Sequence, residues 1–361
     1  MPSDRPVTVL HYTGYDQARG GIVTGIGHLA DTGIFHCILG VNQGFQRPVK
    51  PSLDVMEFCR LEGEKINIGN FRRARVVAQQ VRDWLRADSG RIFHGHSRAG
   101  LLVALWLRWF REPRVVVSVH CYGQQRWFYR AVKAMLGRRL CWLTPAMIRY
   151  YYQCENSDWR DCVPNGLPGV PALIMRQPPQ DRPLRIGGAG QLTANKRWDL
   201  VLAALAGLPA DAQIEFWYAG DPTSDADSVE FAQKLKAFAA EHRLEGRVRW
   251  LGWQTSIAGW LQEIDAIVVP FHHESFSMIA LEALYAGVPV IAARGGGPDD
   301  LIRQGENGWL VLPDNVPALA QQLTAMLAPA AWAGLQADPQ HLGRFRIAAV
   351  AAQWSEVYAT L

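Results

Sequence analysis

The chain reads as an α/β protein of two doubly wound domains, and three observations carry that reading. Short apolar runs alternate with helical stretches, which is the pattern of a parallel sheet covered by helices on both faces. The 361 residues exceed what one hydrophobic core usually serves. The alternation also stops once, at Val163-Pro-Asn-Gly-Leu-Pro-Gly-Val-Pro171, where three prolines and two glycines fall within nine residues. Pro178, Pro179 and Pro183 follow, and then the pattern restarts.

In order, Val7–Tyr12 is a strand-like run ending at Gly14. A Gly20-Gly21 turn precedes Ile22–Leu29. Arg91–His94 reads as a buried strand, Gly100–Phe110 as the helix after it, and Val115–Val119 as a strand rich in β-branched residues. Beyond the break, Leu184–Gly188, Ile214–Ala219, Val248–Leu251, Ala266–Pro270 and Val288–Ala292 are strands; Asp199–Ala206 and Val229–His242 are helices. The periodic stretch Phe345–Leu361 closes the chain as a helix. The expected domains are 1–166 and 167–341, with the helix at about 342–361 packing back on the first. Sheets of this kind bind ligands beyond the carboxyl ends of their strands, so a cleft between the two domains is the expected site.

Composition excludes several classes. With 49% hydrophobic and 19% charged residues the chain is of ordinary globular type. It has no run of 18 apolar residues to span a membrane, and Met1–Pro6 lacks the apolar segment of a signal peptide, which leads to the expectation of a cytoplasmic protein. Its six cysteines have no C-x-x-C spacing and are expected as free thiols. Residues 1–166 hold 23 Lys and Arg against 13 Asp and Glu, whereas the remainder holds 14 against 20. A basic first half beside an acidic second half suggests that the first half meets something anionic.

The segment from Glu274 to Val290 is the most informative. Glu274 and Glu282 lie eight residues apart, and positions i and i+8 of a helix share a face. Glu282 is expected about two turns inside a helix, with Glu274 at or just before its start. The first backbone N–H groups of that helix would form an anion site between the two acids. This suits a ligand carrying hydroxyls and phosphate. Two acids on a helix are by themselves usually just solvated, but here they follow a buried strand and lead into Gly287, an apolar strand and Gly295-Gly-Gly-Pro-Asp-Asp300.

On Pro270, Glu274, Phe276, Ser277, Glu282, Ala283, Ala286, Gly287, Pro289 and Val290, then Gly295, Gly296, Asp299 and Glu306-Asn-Gly308, the segment resembles the donor motif of retaining GT-B glycosyltransferases of glycosyltransferase family 4. The resemblance implies two Rossmann-like domains facing across a cleft, an N-terminal domain for the acceptor and a C-terminal one for a nucleotide-sugar donor. It implies transfer with retention, no metal and no other cofactor. Glu274 would touch the donor sugar, the N–H groups of Ser275, Phe276, Ser277 and Met278 sugar and phosphate, and Glu282 the ribose. The family's glycine is Ser277 here, and its glutamate is Asp299.

Gly190-Gln-Leu-Thr-Ala-Asn-Lys196 is similar to the family's diphosphate-clamping segment. Lys196 is kept, but the clamping arginine is Gln191, and a neutral amide makes no charge-assisted fork. Arg197 or an arginine of the first domain is the candidate substitute. Gly21 corresponds to the family's glycine near the donor phosphate or acceptor. No P-loop motif is present, and Gly187-Gly-Ala-Gly190 lacks the spaced third glycine of a dinucleotide fingerprint.

His120, ending a strand, matches a family histidine at the donor sugar, with Cys121 where an aspartate is usual. His94 and His96 stand near the acceptor side. Adjacent His272 and His273 point in opposite directions on an extended segment, which disfavours a metal. From Arg108 to Arg149 there are nine basic residues and one acid. Arg126, Trp127, Arg130 and Lys133 would form a basic amphipathic helix suited to an anionic membrane or acceptor. No nucleic-acid module is recognisable.

The expected activity is sugar transfer from a nucleotide sugar to a glycan or lipid-linked acceptor, as in bacterial lipopolysaccharide or exopolysaccharide assembly. Peripheral contact with the inner face of the cytoplasmic membrane is expected with it. A catalytically weak nucleotide-sugar-binding partner subunit, a sugar-nucleotide epimerase and a phosphorylase remain as alternatives.

Overall fold

The computed structural model describes residues 6–16, 20–45, 50–62, 65–223 and 225–361. They divide into two compact units: residues 6–169 together with Arg344–Leu361, and Val170–Gly343.

Unit 1 carries six parallel strands: β1 Thr8–Tyr12, β2 His36–Asn42, β3 Asp54–Phe58, β4 Arg91–Gly95, β5 Val115–Val119 and β6 Leu140–Trp142. Their order in the sheet is β3-β2-β1-β4-β5-β6. The connections are α1 Gly21–Ala30, α2 Ile68–Arg86, α3 Arg98–Trp109 and α4 Arg126–Leu136, with α5 Pro145–Tyr152 after β6. Strand order reverses between β1 and β4, where doubly wound sheets place their ligands. Strands β1, β2, β4, β5 and β6 are almost wholly buried, as in a sheet covered on both faces, whereas the edge strand β3 is largely open. Ser97 starts α3 by accepting a hydrogen bond from Gly100 N.

Unit 2 repeats the plan with β7 Leu184–Ala189, β8 Ile214–Ala219, β9 Val248–Gly252, β10 Ala266–Val269, β11 Val290–Ala293 and β12 Gly308–Val311, ordered β12-β11-β10-β7-β8-β9. Its helices are α6 Trp198–Ala206, α7 Ala226–Glu241, α8 Ile257–Leu261, α9 Met278–Tyr285, α10 Pro298–Leu301, α11 Val316–Ala325 and α12 Pro339–Gly343.

The last helix, α13 Ile347–Ala359, belongs to unit 1. Val350, Ala351, Trp354 and Tyr358 enter the same buried cluster as Val23, Ile26 and Leu29 of α1 and Val9, Leu39 and Val41 of the sheet. Tyr358 Oη lies 2.7 Å from His94 Nδ1, and the Trp354 ring packs edge-on against His94. The chain therefore crosses between units twice. The crossing segments are hydrogen-bonded to each other, Leu167 N to Phe345 O and Ile347 N to Leu167 O. Among the described residues no helix is long and apolar enough to cross a membrane.

Candidate functional site

The Glu274 segment leaves the carboxyl end of β10 and enters α9. The helix begins at Met278, so Glu282 stands just over one turn inside it rather than two, and Glu274 four residues before it. The expected count assumed a start nearer Glu274. What delays the helix is Ser277, which sits in the left-handed region at φ 72° and accepts a hydrogen bond from Ala280 N. That conformation favours glycine, so a serine there is a strained helix cap.

Glu274 meets Lys196 at 2.5 Å, oxygen to nitrogen, and Lys196 Nζ also stands 5.2 Å from the centre of the Phe271 ring. The lysine is delivered by the β7–α6 loop. That loop is fixed by Gly190 N on Ala219 O, by Tyr218 Oη on Gly190 O, and by Trp198 Nε1 on Gln191 O. The family-like pair thus lies together although 78 residues separate it in sequence.

Backbone packing explains the glycines around it. A Cβ on Gly297 would come within 2.4 Å of Ser275 O, and one on Gly296 within 2.6 Å of Glu274 O. Gly297 N donates to Glu274 O, and Asp299 receives Gly295 N at 3.0 Å. The triple-glycine loop is thus laid directly against the Glu274 backbone. Phe276 and Ser277 are buried, so the phenyl ring is part of the core, and any contact with a ligand at that position falls to the backbone. Burial pushes the Glu282 carboxyl up to about 7.

Gln191 is exposed at the loop. Arg197 does not supply the missing guanidinium at Glu274. Its side chain is held by Asp199 and Asp314, and at φ 55° it starts α6. Asp314 also lies 3.5 Å from His272 Nδ1.

In unit 1, Gly20 at φ 99° precedes Gly21, the first residue of α1. The three histidines anticipated from sequence do converge, together with His11, which sequence reasoning did not single out. His11 and His94 are register partners on neighbouring strands β1 and β4. That pairing was hidden because His11 reads as one polar interruption in an apolar strand. His94 is not an acceptor-side residue: it is fully buried, with Nδ1 on Tyr358 Oη and Nε2 on Ser118 Oγ. His96 is buried too, whereas His120 is half-buried at the end of β5. Burial lowers His11 and His120 to about 3 and His94 and His96 well below the usual histidine value, so all four rings are neutral at pH 7. The loop after His120 is pinned by Tyr151, whose hydroxyl donates to Cys121 O and accepts from Gly123 N.

The basic helix is less free than its sequence suggests. Arg130 donates to Tyr151 O and Lys133 to Leu140 O, because α4 packs on α5 and β6 and these carbonyls need donors. Arg126 stacks over Tyr150 at 4.3 Å. Trp127 is 71% exposed and remains outward.

Residues 183–329 match the family model described as "Glycosyl transferases group 1". Relatives include the lipopolysaccharide core biosynthesis glycosyltransferase LpsE of Rhizobium meliloti, 29% identical over 150 residues, covering 42% of this chain and 41% of LpsE. They also include the D-inositol 3-phosphate glycosyltransferase of Mycobacterium leprae, 35% identical over 169 residues, covering 46% of this chain and 37% of that protein. The chain thus spans about two-fifths of the length of the curated relatives it matches. Among solved structures, HepE of Anabaena in complex with UDP and glucose aligns with a TM-score of 0.74 at 17% identity, over 98% of this chain and 99% of HepE. The apo form of the lipopolysaccharide outer core galactosyltransferase WaaB aligns at 0.73 and 18% identity, over 98% and 100%. At such identities the likeness is one of fold, the GT-B arrangement of two Rossmann-like domains.

Proposed function

The chain carries a group 1 glycosyltransferase domain, and on that premise we propose that it transfers a sugar, with retention of configuration, from a nucleotide-diphosphate sugar to a glycan or lipid-linked acceptor. The observation that carries the reading is the Lys196–Glu274 pair at 2.5 Å beside the strained start of α9, with Glu282 one turn on. It joins a cation for the diphosphate, a carboxylate for sugar hydroxyls, helix N–H groups for phosphate and a second carboxylate for ribose. On this reading the N–H groups of Ser275 to Met278 and Gly21 face the donor, and His120 meets the sugar. Catalysis is positioning and charge stabilisation of the leaving diphosphate, without a metal or other cofactor. The anionic acceptor side lies on basic unit 1, and Arg126 and Trp127 on α4 are its contact with an anionic membrane surface. An acceptor in lipopolysaccharide or exopolysaccharide assembly suits that surface, and the names of LpsE and WaaB point the same way.

A panel of UDP-, GDP- and ADP-sugars tested for thermal stabilisation checks this. A ligand at 100 times its dissociation constant adds about 2.7 kcal/mol. No stabilisation by any of them would remove the donor assignment. Product analysis then separates transfer from an isomerised nucleotide sugar. One observation favours a second reading, a nucleotide-sugar-binding subunit of low turnover: Gln191 is neutral and Arg197 is held by Asp199 and Asp314. Donor binding without hydrolysis or transfer would support it.

A further inference from the structure

Asp314 joins the two loops that carry the Lys196–Glu274 pair. Its carboxylate divides between them. Oδ1 receives Arg197 Nη1, and Oδ2 lies 3.5 Å from His272 Nδ1. Arg197 directly follows Lys196, and His272 stands two residues before Glu274. Phe271, beside His272, sets its ring 5.2 Å from Lys196 Nζ. The three segments follow β7, β10 and β12, and β11 separates β12 from β10 in the sheet. From the loop between β12 and α11, Asp314 thus reaches past one strand to touch the chain next to each member of the pair.

The contact is a poor stabiliser. The Arg197 and Asp314 side chains are 32% and 46% exposed, and ion pairs so open to water add little to stability. Both backbones also sit in the left-handed region, Arg197 at φ 55° and Asp314 at φ 51°. Six non-glycine residues do so among the described residues, and three of them, Arg197, Ser277 and Asp314, border this pair. Strained backbone persists only where its surroundings over-determine it, and it gathers at functional sites. A weak bond between two strained loop residues locates those loops more than it holds the fold together.

We propose that Asp314 is a positioning residue: with Arg197 and His272 on its two oxygens, it sets Lys196 and Glu274 where they receive the diphosphate and sugar of the donor. The ligand rests on the function proposed above; the coupling of Asp314 to the pair does not. The competing role is sequestration, in which Asp314 only keeps Arg197 from the ligand. Asp199 already holds the Arg197 guanidinium at 3.2 Å from within α6, so sequestration has no need of Asp314. Nor does it account for the second oxygen on His272.

Asp314→Asn removes the charge and keeps the shape. Asparagine tolerates the left-handed backbone. The cap of α11 is retained, because it is Asn315 that accepts from Ala318 N. The first measurement needs no ligand. Lys196→Met and Glu274→Gln, singly and together, give the coupling within the pair from urea unfolding of the full chain. That coupling is expected to vanish in the Asp314→Asn background. No coupling in the unaltered background, or coupling that Asp314→Asn leaves unchanged, would overturn the proposal. The second measurement is affinity for whichever nucleotide sugar stabilises the protein. Asp314→Asn should weaken it about tenfold, and should weaken it no further once Lys196 is methionine. Loss of a negative charge beside an anionic ligand would by itself tighten binding, so a loss of affinity reports on position. Equal losses with and without Lys196, or tighter binding and faster turnover from a released Arg197, would sink the positioning role. Should Asp314→Asn not fold, His272→Leu cuts the other arm and goes through the same two cycles, with the same outcomes deciding. Failure of the unaltered protein to bind any nucleotide sugar would remove the functional reading and leave the first measurement to decide.

Discussion

Ser277 sets two effects against each other. Its left-handed backbone, at φ 72°, costs a non-glycine residue about 1–2 kcal/mol. Its hydroxyl repays part of this by capping α9 at Ala280 N. Replacing a serine cap by glycine costs only a few tenths of a kcal/mol, whereas replacement by alanine costs about 1. Ser277→Gly is therefore expected to stabilise the protein by about 1 kcal/mol and Ser277→Ala to destabilise it by about as much, as read from thermal or urea unfolding. Equal destabilisation by both would mean that the strain is not where the backbone places it.

Glu282 gives a pH signature. Its folded-state pKa is raised from 4.5 to about 7, so the folded protein holds this proton more tightly than the unfolded chain does. The burial penalty is absent below about pH 4.5, where both states are protonated. It grows as pH rises and is complete above about 7. Glu282→Gln should raise the melting temperature by a few degrees at pH 8 and leave it unchanged at pH 4.5. That corresponds to about 1–2 kcal/mol once the water reaching a half-buried carboxyl is allowed for. If the carboxylate receives ribose hydroxyls, the same substitution weakens donor binding. It also abolishes the rise of affinity through pH 7, which calorimetric titration at pH 6 and 8 would reveal.

At the scale of elements, the loop Gly295–Gly297 acts as a backstop for the Glu274 segment. Gly297→Ala forces a Cβ to within 2.4 Å of Ser275 O, so that segment must move. The expected consequence is at least a tenfold loss of donor affinity with only a modest change in stability. Unaltered binding would show that the two loops are not coupled. This loop also shows why a motif was legible where other elements were not. Glycines forced by backbone contact, and acids flanking a helix start, leave fixed residue types at fixed spacing. Strands such as Val115–Val119 were legible for a similar reason: both faces are buried, and every position but Ser118 is valine. The sequence assigns no element between residues 31 and 90, where β2, β3 and α2 stand. In β3, exposed Asp54 and Glu57 break the apolar run because it is an edge strand. In α2, arginines cover an outer face that hides the Ala74, Val77, Ala78, Val81 and Leu85 stripe. The histidine cluster was illegible for a different reason. It depends on strand register, which joins His11 to residues 85 and 109 positions away, and no local pattern encodes that.

At the scale of the whole molecule, charge is divided, with unit 1 strongly basic. Vesicles containing anionic lipid should bind the protein, and binding should fall steeply with salt. Within α4 the residues expected to meet a membrane differ in kind. Trp127→Ala, which removes an exposed ring, should weaken vesicle binding while leaving stability unchanged. Lys133→Ala should cost about 1 kcal/mol of stability, because its ammonium donates to Leu140 O. Co-sedimentation and thermal unfolding of the two variants distinguish these outcomes, and the reverse assignment would place the membrane-facing side elsewhere.

The double crossing between units has a consequence for how the protein is made. Unit 2 is continuous in sequence, but unit 1 is not: its core waits for Trp354 and Tyr358 of α13. As the chain emerges from the ribosome, domains close when their last segment arrives. The second unit to be translated is thus the first able to finish folding, and the first unit remains open, with the His94 side of its sheet uncovered, until the end. A chain stopped after Gly343 should hold a protease-resistant unit 2 and a protease-sensitive unit 1. The His94–Tyr358 contact is then the closing stitch of a molecule that completes its beginning last.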